Sequence, residues 1–150
     1  MKIRIIAVGR QKASPAKELC AEYLRRMKWD VAVREIDSPK AGTSVQEAPL
    51  ILKELEKQPS LVVALDERGE TLSSPAFANK LSGWQHAAPS NTVTFLIGGA
   101  DGFDNSVRKK SGFLLSFGKQ TWPHMLVRVM LLEQLYRAQQ IIAGHPYHRQ

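Results

Sequence analysis

Short apolar runs rich in β-branched residues alternate along this chain with segments of helical length. The runs predict strands over residues 3–8, 31–36, 61–65, 92–97 and 113–117. Strands that alternate with helices are typical of a mostly parallel sheet with helices on its faces. A chain of 150 residues is also the usual size of one domain. The pattern therefore predicts a single α/β domain over residues 1–150.

Polar residues that can cap a helix mark the starts of three predicted helices. Ser14 and Ser74 each precede a proline, which suits the first helical position, and we expect both serines to be N-caps. Ser44 and Glu47 have the spacing of a capping box and predict the start of the helix that lies between those two.

The last predicted helix, over residues 124–143, is apolar on more than one face. Its large apolar residues cannot share a single stripe: Leu126, Val127, Val129, Met130, Leu131, Leu132, Leu135, Ile141 and Ile142. A helix of this kind is either buried or paired with another subunit.

The charge and the single cysteine limit the classes of function. Twenty-one Lys and Arg against fourteen Asp and Glu give a net charge of +7, which favours nucleic acid as a partner through counterion release. Cys20 has no cysteine partner for a disulfide or a thiolate metal cluster and fits a reducing compartment. The first apolar run is too short for a signal peptide, and no run reaches the roughly 20 residues of a membrane span. We therefore expect a soluble cytoplasmic protein.

The strongest local signal for a binding site is the run Gly98-Gly99-Ala100-Asp101-Gly102, directly after the fourth predicted strand. Glycines at the carboxyl end of a parallel strand let backbone amides approach a ligand closely. A side chain at Gly99 is therefore expected to block the ligand, and to resist a positive φ, without unfolding the domain. An ordinary turn is the alternative interpretation. The sequence has neither the triple-glycine dinucleotide fingerprint nor a phosphate-binding loop, so NAD and ATP are not favoured.

Two further loops follow predicted strands. Residues 65–70 are predicted as a charged turn, and residues 117–124 lead into the last helix, whose first amides lack intrahelical partners. If the strands are parallel neighbours, these loops and the glycine run converge on one pocket.

The C-terminal run from Gly144 to Arg149 combines imidazole, phenol and guanidinium groups. A solvated tail is the ordinary interpretation of a terminus. A metal site through His145 and His148 is disfavoured because no neighbouring Cys or carboxylate completes the ligand set. The combination suits a nucleotide better, since Tyr and His stack on bases and Arg binds phosphates or developing anions.

Taken together, several motifs resemble the ribosomal large-subunit pseudouridine methyltransferase H family. They are Leu65-Asp66 with Gly69, the run 96–102, Pro123-His124 with Leu126-Val127-Arg128, the run 133–138 and the ending His145-Pro146-Tyr147-His148-Arg149. The resemblance covers nearly the whole chain. It implies a SPOUT fold, a mostly parallel sheet flanked by helices with a C-terminal trefoil knot, and a homodimer whose active site combines residues of both subunits.

The resemblance also implies S-adenosylmethionine as the cofactor. The residues that would bind it are Leu65, Gly98, Gly99, Phe117, Gly118, Lys119, Gln120, Thr121, Trp122, Met125 and Leu126. Family members usually have a Leu-Ser-rich loop where this chain has Phe117-Gly118-Lys119-Gln120. In that loop we therefore expect backbone contacts to adenine rather than side-chain contacts to the cofactor.

The implied reaction is methylation of N3 of a pseudouridine in 23S ribosomal RNA, within the assembled ribosome and without a metal. Arg137 and Arg149 would stabilise the negative charge on the base, His148 would accept the N3 proton, and Tyr147 would orient the base. Arg137 can instead form only a salt bridge on its helix. Two other functions stay open: methylation of another RNA, such as transfer RNA, and RNA binding without catalysis.

Overall fold

The computed structural model describes residues 1–40 and 42–149, and within them five strands form one parallel sheet in the order β2-β1-β4-β3-β5. The strands are β1 (Lys2–Val8), β2 (Asp30–Ile36), β3 (Leu61–Thr71), β4 (Thr92–Ile97) and β5 (Phe113–Ser116). All four strand pairings are parallel, so the carboxyl ends of the strands lie at one edge. The predicted α/β class and parallel sheet are confirmed.

Helices cover both faces of the sheet. They are α1 (Pro15–Arg26), α2 (Ser44–Glu56), α3 (Ser74–Ala87), α4 (Asn105–Lys110) and α5 (His124–Ile142), with a single 3₁₀ turn at Pro89–Asn91. Along β1, Ile3, Ile5 and Ala7 join a core with α1, α3 and α5, whereas Ile6 and Val8 join a second core with α2 and α4. This alternation follows from the two-residue period of a strand.

The sequence located the N-cap of the first helix correctly, but it placed the N-cap of the third helix one residue too late. Ser14 accepts a hydrogen bond from the N–H of Lys17, as predicted. The cap of α3 is Ser73 rather than Ser74, because Ser73 has extended backbone and its side chain accepts from the N–H of Ala76. Two adjacent serines offer the same chemistry, and the position of the following proline did not distinguish them.

The capping box of α2 lies one residue earlier than predicted. Thr43 Oγ1 accepts from the N–H of Gln46, and Gln46 Oε1 accepts from the N–H of Thr43. Glu47 therefore does not cap the helix. It is buried instead, and its Oε2 accepts a hydrogen bond from the Ser38 hydroxyl at 2.6 Å.

The predicted charged turn at residues 65–70 is wrong, because β3 continues to Thr71. Its pairing with β5 shifts register between Leu65 and Glu70, so the intervening residues form an irregular bulge. Gly69 is required there: a Cβ at this position would lie 2.5 Å from the backbone of Leu114. The bulge turns the charged side chains of this segment toward the carboxyl edge of the sheet, where the cavity described below lies.

The last helix packs against α1 and α3, and its buried positions include Arg128, Leu131, Leu135 and Gln139. It ends one residue before its predicted end. In the described part of the chain, none of the helices is long and apolar enough to cross a membrane. The trefoil knot implied by the resemblance stays a prediction.

Candidate active site

The carboxyl ends of β3, β4 and β5 border a cavity of about 730 Å³. The bulge after Leu65, the glycine loop after Ile97 and the loop that leads into α5 all contribute to its walls. The predicted convergence of three loops on one pocket is thus observed. The volume lies within the range of roughly 300–1,000 Å³ that is usual for small-molecule sites.

Most residues expected to bind the cofactor line this cavity. They are Leu65, Gly98, Gly99, Phe117, Gly118, Gln120, Thr121 and Trp122. Lys119, Met125 and Leu126 do not line it. In the first turn of α5, His124 and Val127 face the cavity instead, since residues three apart share a helix face. Met125 lies toward Gly9, 3.8 Å from where a Cβ of that glycine would be.

The glycine loop folds back on itself at the end of β4. The N–H of Gly102 donates to the carbonyl of Gly99 at 3.1 Å, and Gly102 has a φ of 68°, which favours glycine. A Cβ on Gly98 would lie 3.1 Å from the Gly102 carbonyl oxygen. The close return of the loop therefore depends on glycine at both positions.

The start of α2 supports this loop from the side away from the cavity. The N–H of Ser44 donates to Asp101 Oδ2 at 2.7 Å, and this hydrogen bond lowers the pKa of the Asp101 carboxyl. A Cβ on Gly99 would lie 3.0 Å from the Glu47 carboxylate. Gly99 does not have a positive φ, so the conformational reason expected for this glycine is wrong. The close approach of Glu47 constrains it instead.

Local hydrogen bonds shape the loop between β5 and α5. The Ser116 hydroxyl accepts from the N–H of Gly118 at 3.1 Å, and Gly118 has a φ of 110°. The Trp122 indole N–H donates to the Phe117 carbonyl at 3.2 Å. These contacts close the loop over the cavity, and α5 begins behind it without a side-chain cap.

The cavity wall contains a buried ion pair that the sequence did not predict. Asp66, with its side chain 4% exposed, accepts from Arg108 Nε at 2.7 Å and from the N–H of Arg68 at 2.9 Å. Asp66, Arg68 and Arg108 all line the cavity. The only sequence signal was a charged residue directly after a buried strand. Its partner lies 42 positions away, on α4, and no local pattern connects the two.

Arg128 fixes the beginning of α5 against the edge of the sheet. Its guanidinium, almost fully buried, donates to Glu35 Oε2 and to the carbonyl of Gly9, both at 2.6 Å. Burial works to raise the pKa of Glu35, but hydrogen bonds from Arg128 and from the N–H of Gln11 outweigh it and lower that pKa. This contact holds the helix turn that presents His124 and Val127 to the cavity.

The C-terminal cluster consists of Glu133, Arg137, Tyr147 and His148. Arg137 Nε donates to Glu133 Oε1 at 3.0 Å, Arg137 Nη1 lies 3.1 Å from His148 Nδ1, and the Tyr147 hydroxyl donates to Glu133 at 3.3 Å. The hydrogen bond to Glu133 raises the pKa of Arg137, and burial followed by the charge of Glu133 raises the pKa of Tyr147. Arg137 thus forms the expected salt bridge on its helix, and its catalytic role stays a prediction.

Aromatic packing holds the tail on helices α1 and α5. The ring of Tyr147 meets that of Tyr136 edge to face at 4.9 Å, and the Arg26 guanidinium lies 4.4 Å from the centre of the Tyr136 ring. Arg149 and His145 are exposed. Within residues 1–40 and 42–149, His, Cys, Asp and Glu side chains form no group of three that could hold a metal.

The C-terminal cluster does not line the cavity of its own chain. Val127 borders the cavity, whereas Arg137 is ten residues further along α5, or about 15 Å at the rise of an α-helix. The structure therefore brings the expected cofactor residues together in one place and Arg137, Tyr147 and His148 together in another.

Comparison with known proteins places the whole chain in one family. The family model described as "Predicted SPOUT methyltransferase" matches residues 1–148. The chain is similar to the ribosomal RNA large subunit methyltransferase H of Rhodospirillum centenum, with 48% identity, and to that of Dinoroseobacter shibae, with 46% identity. Each alignment covers 99% of this chain and 99% of the relative.

A solved structure gives independent support for the fold. It is that of a probable methylase family protein from Haemophilus influenzae, which aligns with a TM-score of 0.54 at 14% identity. The alignment covers 95% of this chain and 66% of that one, so this chain spans just under two thirds of that protein. The chain belongs to the SPOUT methyltransferase family.

Proposed function

We propose that this protein transfers the methyl group of S-adenosylmethionine to N3 of a pseudouridine in 23S ribosomal RNA. The observation that carries the proposal is the full-length similarity, at 48% and 46% identity, to two ribosomal RNA large subunit methyltransferases H. The net charge of +7 agrees with a polyanionic substrate.

The cavity at the carboxyl edge of the sheet suits the cofactor. It is large enough for a nucleoside with an amino-acid chain, and it combines close backbone at Gly98 and Gly99 with apolar walls at Leu65, Phe117 and Val127. When bound, S-adenosylmethionine supplies a methyl group already activated by a positively charged sulfur, so positioning is the main task left to the protein. The amides of the loop over residues 117–122 would hold the adenine.

Residues of the tail would prepare the base. N3 of pseudouridine carries a proton, and its loss leaves negative charge on the base oxygens, which the guanidiniums of Arg137 and Arg149 would stabilise. A neutral His148 whose Nδ1 accepts from Arg137 carries its own proton on Nε2. It would therefore take the N3 proton at Nδ1, once Arg137 has turned toward the base. Tyr147 would stack on the base or orient it.

A homodimer would bring these two groups of residues together. In one chain Arg137 lies about 15 Å along α5 from Val127, and Arg137, Tyr147 and His148 do not line the cavity. The tail of a second subunit would complete the site. Trp122 in the loop before α5 and Leu126 in its first turn are exposed apolar side chains that a contact at this end of the helix would cover.

The substrate would be the assembled ribosome in the cytoplasm. A target in a hairpin loop is easier to unstack than one in a duplex, so a small catalytic domain can reach it. Much of the specificity would then come from the shape of the ribosome.

The direct test is methyl transfer from radiolabelled S-adenosylmethionine to ribosomes from a strain that lacks this modification. Free ribosomal subunits, protein-free ribosomal RNA and transfer RNA serve as competing substrates. We expect label at one pseudouridine of 23S RNA, and only in assembled ribosomes. Label in transfer RNA, or none in any RNA, would refute the proposal.

A further inference from the structure

Asp66 and Arg108 form an ion pair in the wall of the cavity. Neither residue has a role in the proposed reaction described above. Asp66 lies at the end of a buried strand segment, and its two carboxylate oxygens accept from Arg108 Nε and from the N–H of Arg68. A buried carboxylate held in this way keeps its partner in one orientation. Asp66 therefore fixes the orientation of the Arg108 side chain in the cavity wall.

The Arg108 guanidinium has donors left over. Only its Nε is engaged by Asp66, and within residues 1–40 and 42–149 its Nη1 and Nη2 have no hydrogen-bond partner. The side chain is 20% exposed, and the residue lines the cavity. A guanidinium with two free N–H groups side by side matches the two oxygens of a carboxylate.

We propose that Arg108, oriented by Asp66, binds the carboxylate of the methionine part of S-adenosylmethionine. This proposal rests on the proposed function, because it names a contact inside the same cavity. The carboxylate is the only anionic group of that cofactor. Glu67, which also lines this part of the cavity, can face the neighbouring α-amino group. The carboxylate and the α-amino group of the ligand would thus each face a side chain of opposite charge. The apolar walls of the cavity would contact the rest of the ligand.

An RNA phosphate is the alternative oxyanion for Arg108. The pair favours the carboxylate, because Asp66 is buried within the cavity wall. The exposed neighbours Lys109 and Lys110 on the same helix are better placed for a phosphate backbone. They also provide a matched control, since Lys110→Met removes a nearby positive charge without touching the cavity lining.

The test compares two ligands that differ only in the carboxylate: S-adenosylmethionine and its decarboxylated form, with affinities measured by calorimetry. Arg108→Met should weaken binding of S-adenosylmethionine by about 10-fold or more and change that of the decarboxylated form by less than about twofold. Lys110→Met should change neither affinity. The double variant Asp66→Asn with Arg108→Gln removes both charges, leaves no unpaired buried carboxylate, and should show the same selective loss.

Each other outcome has a definite meaning. Equal losses for both ligands would show a structural role only, and no loss for either would show that Arg108 does not touch the cofactor. A raised KM for ribosomes with unchanged cofactor affinity would assign Arg108 to RNA. All three results overturn the proposed contact. If the unmodified protein binds neither ligand, the proposed function itself fails, whereas equal binding of both ligands refutes only the carboxylate contact.

Discussion

Gly99 is packed from behind by the buried carboxylate of Glu47, and this contact determines what a side chain there would do. The nearest Glu47 oxygen is 3.0 Å from the position of a Cβ, tighter than an ordinary contact. Gly99→Val should therefore lower the free energy of unfolding by about 1–3 kcal/mol, as overpacking usually does. It should also weaken cofactor binding, because the glycine loop must shift. Urea denaturation and calorimetry measure the two effects.

A second substitution tests whether packing against Glu47 is the reason that Gly99→Val lowers stability. With Glu47→Ala present, Gly99→Val should cost less stability than it does alone, because the space needed by the valine has been made. Strict additivity of the two substitutions would mean that Glu47 is not the group that constrains Gly99.

The ion pair between Glu35 and Arg128 predicts a dependence of stability on pH. The pKa of Glu35 is lowered in the folded state, so its ionised form stabilises the fold above its usual pKa. That contribution is lost as the pH falls through the folded-state pKa. Glu35→Gln should be less stable than the unmodified protein at pH 7, and the gap should narrow between about pH 5 and pH 3. A gap that stays constant with pH would contradict this role of Glu35.

At the scale of elements, the tail and the cavity are separate units, and this predicts separate losses. Deletion of residues 145–150 should nearly abolish methylation and leave S-adenosylmethionine affinity within a few-fold, because residues 145–149 do not line the cavity. Arg149→Met and His148→Phe should each reduce the rate by roughly 10² or more. Tyr147→Phe keeps the ring packed on Tyr136 and tests whether Tyr147 acts through its ring alone. Full activity after the deletion would leave Arg137 as the activating residue.

The elements show what the sequence could and could not predict. Apolar runs located the ends of four strands and the start of β3 to within one residue, because burial on both faces of a parallel sheet requires such runs. The extension of β3 to Thr71 was missed, since a bulge rich in charge resembles a turn. The α2 cap was displaced by one residue because Thr43-Gln46 and Ser44-Glu47 have the same spacing. Which pair caps the helix depends on the buried contact between Glu47 and Ser38.

At the scale of the whole molecule, the convergence of three loops could be predicted once the strands were taken as parallel. The strand order could not, because it depends on pairings between residues far apart in the chain. The Asp66–Arg108 pair and the packing of Tyr147 on Tyr136 could not be predicted from the sequence for the same reason. The loops of the candidate site could therefore be predicted from the sequence. The ion pair in the cavity wall and the position of the C-terminal tail could not.

The proposed homodimer predicts a mass in solution of twice the 16.8 kDa of the chain. The exposed apolar residue Leu126, in the first turn of α5, would lie in the contact. Light scattering at micromolar concentration should therefore give a dimer, and Leu126→Glu should shift it toward monomer, because burying unpaired charge is costly. A monomeric unmodified protein would contradict the shared active site.

Subunit mixing tests the central claim most directly, namely that the cavity of one subunit and the tail of its partner form one active site for RNA methylation. One subunit carries Gly98→Val, which disturbs the glycine loop of the cavity, and the other lacks residues 145–150. Each homodimer should be nearly inactive on ribosomes. The purified heterodimer should recover about half of the normal rate, since one of its two sites then has an intact cavity and an intact tail. A heterodimer as inactive as its parents would show that cavity and tail must belong to the same chain, and would contradict this account.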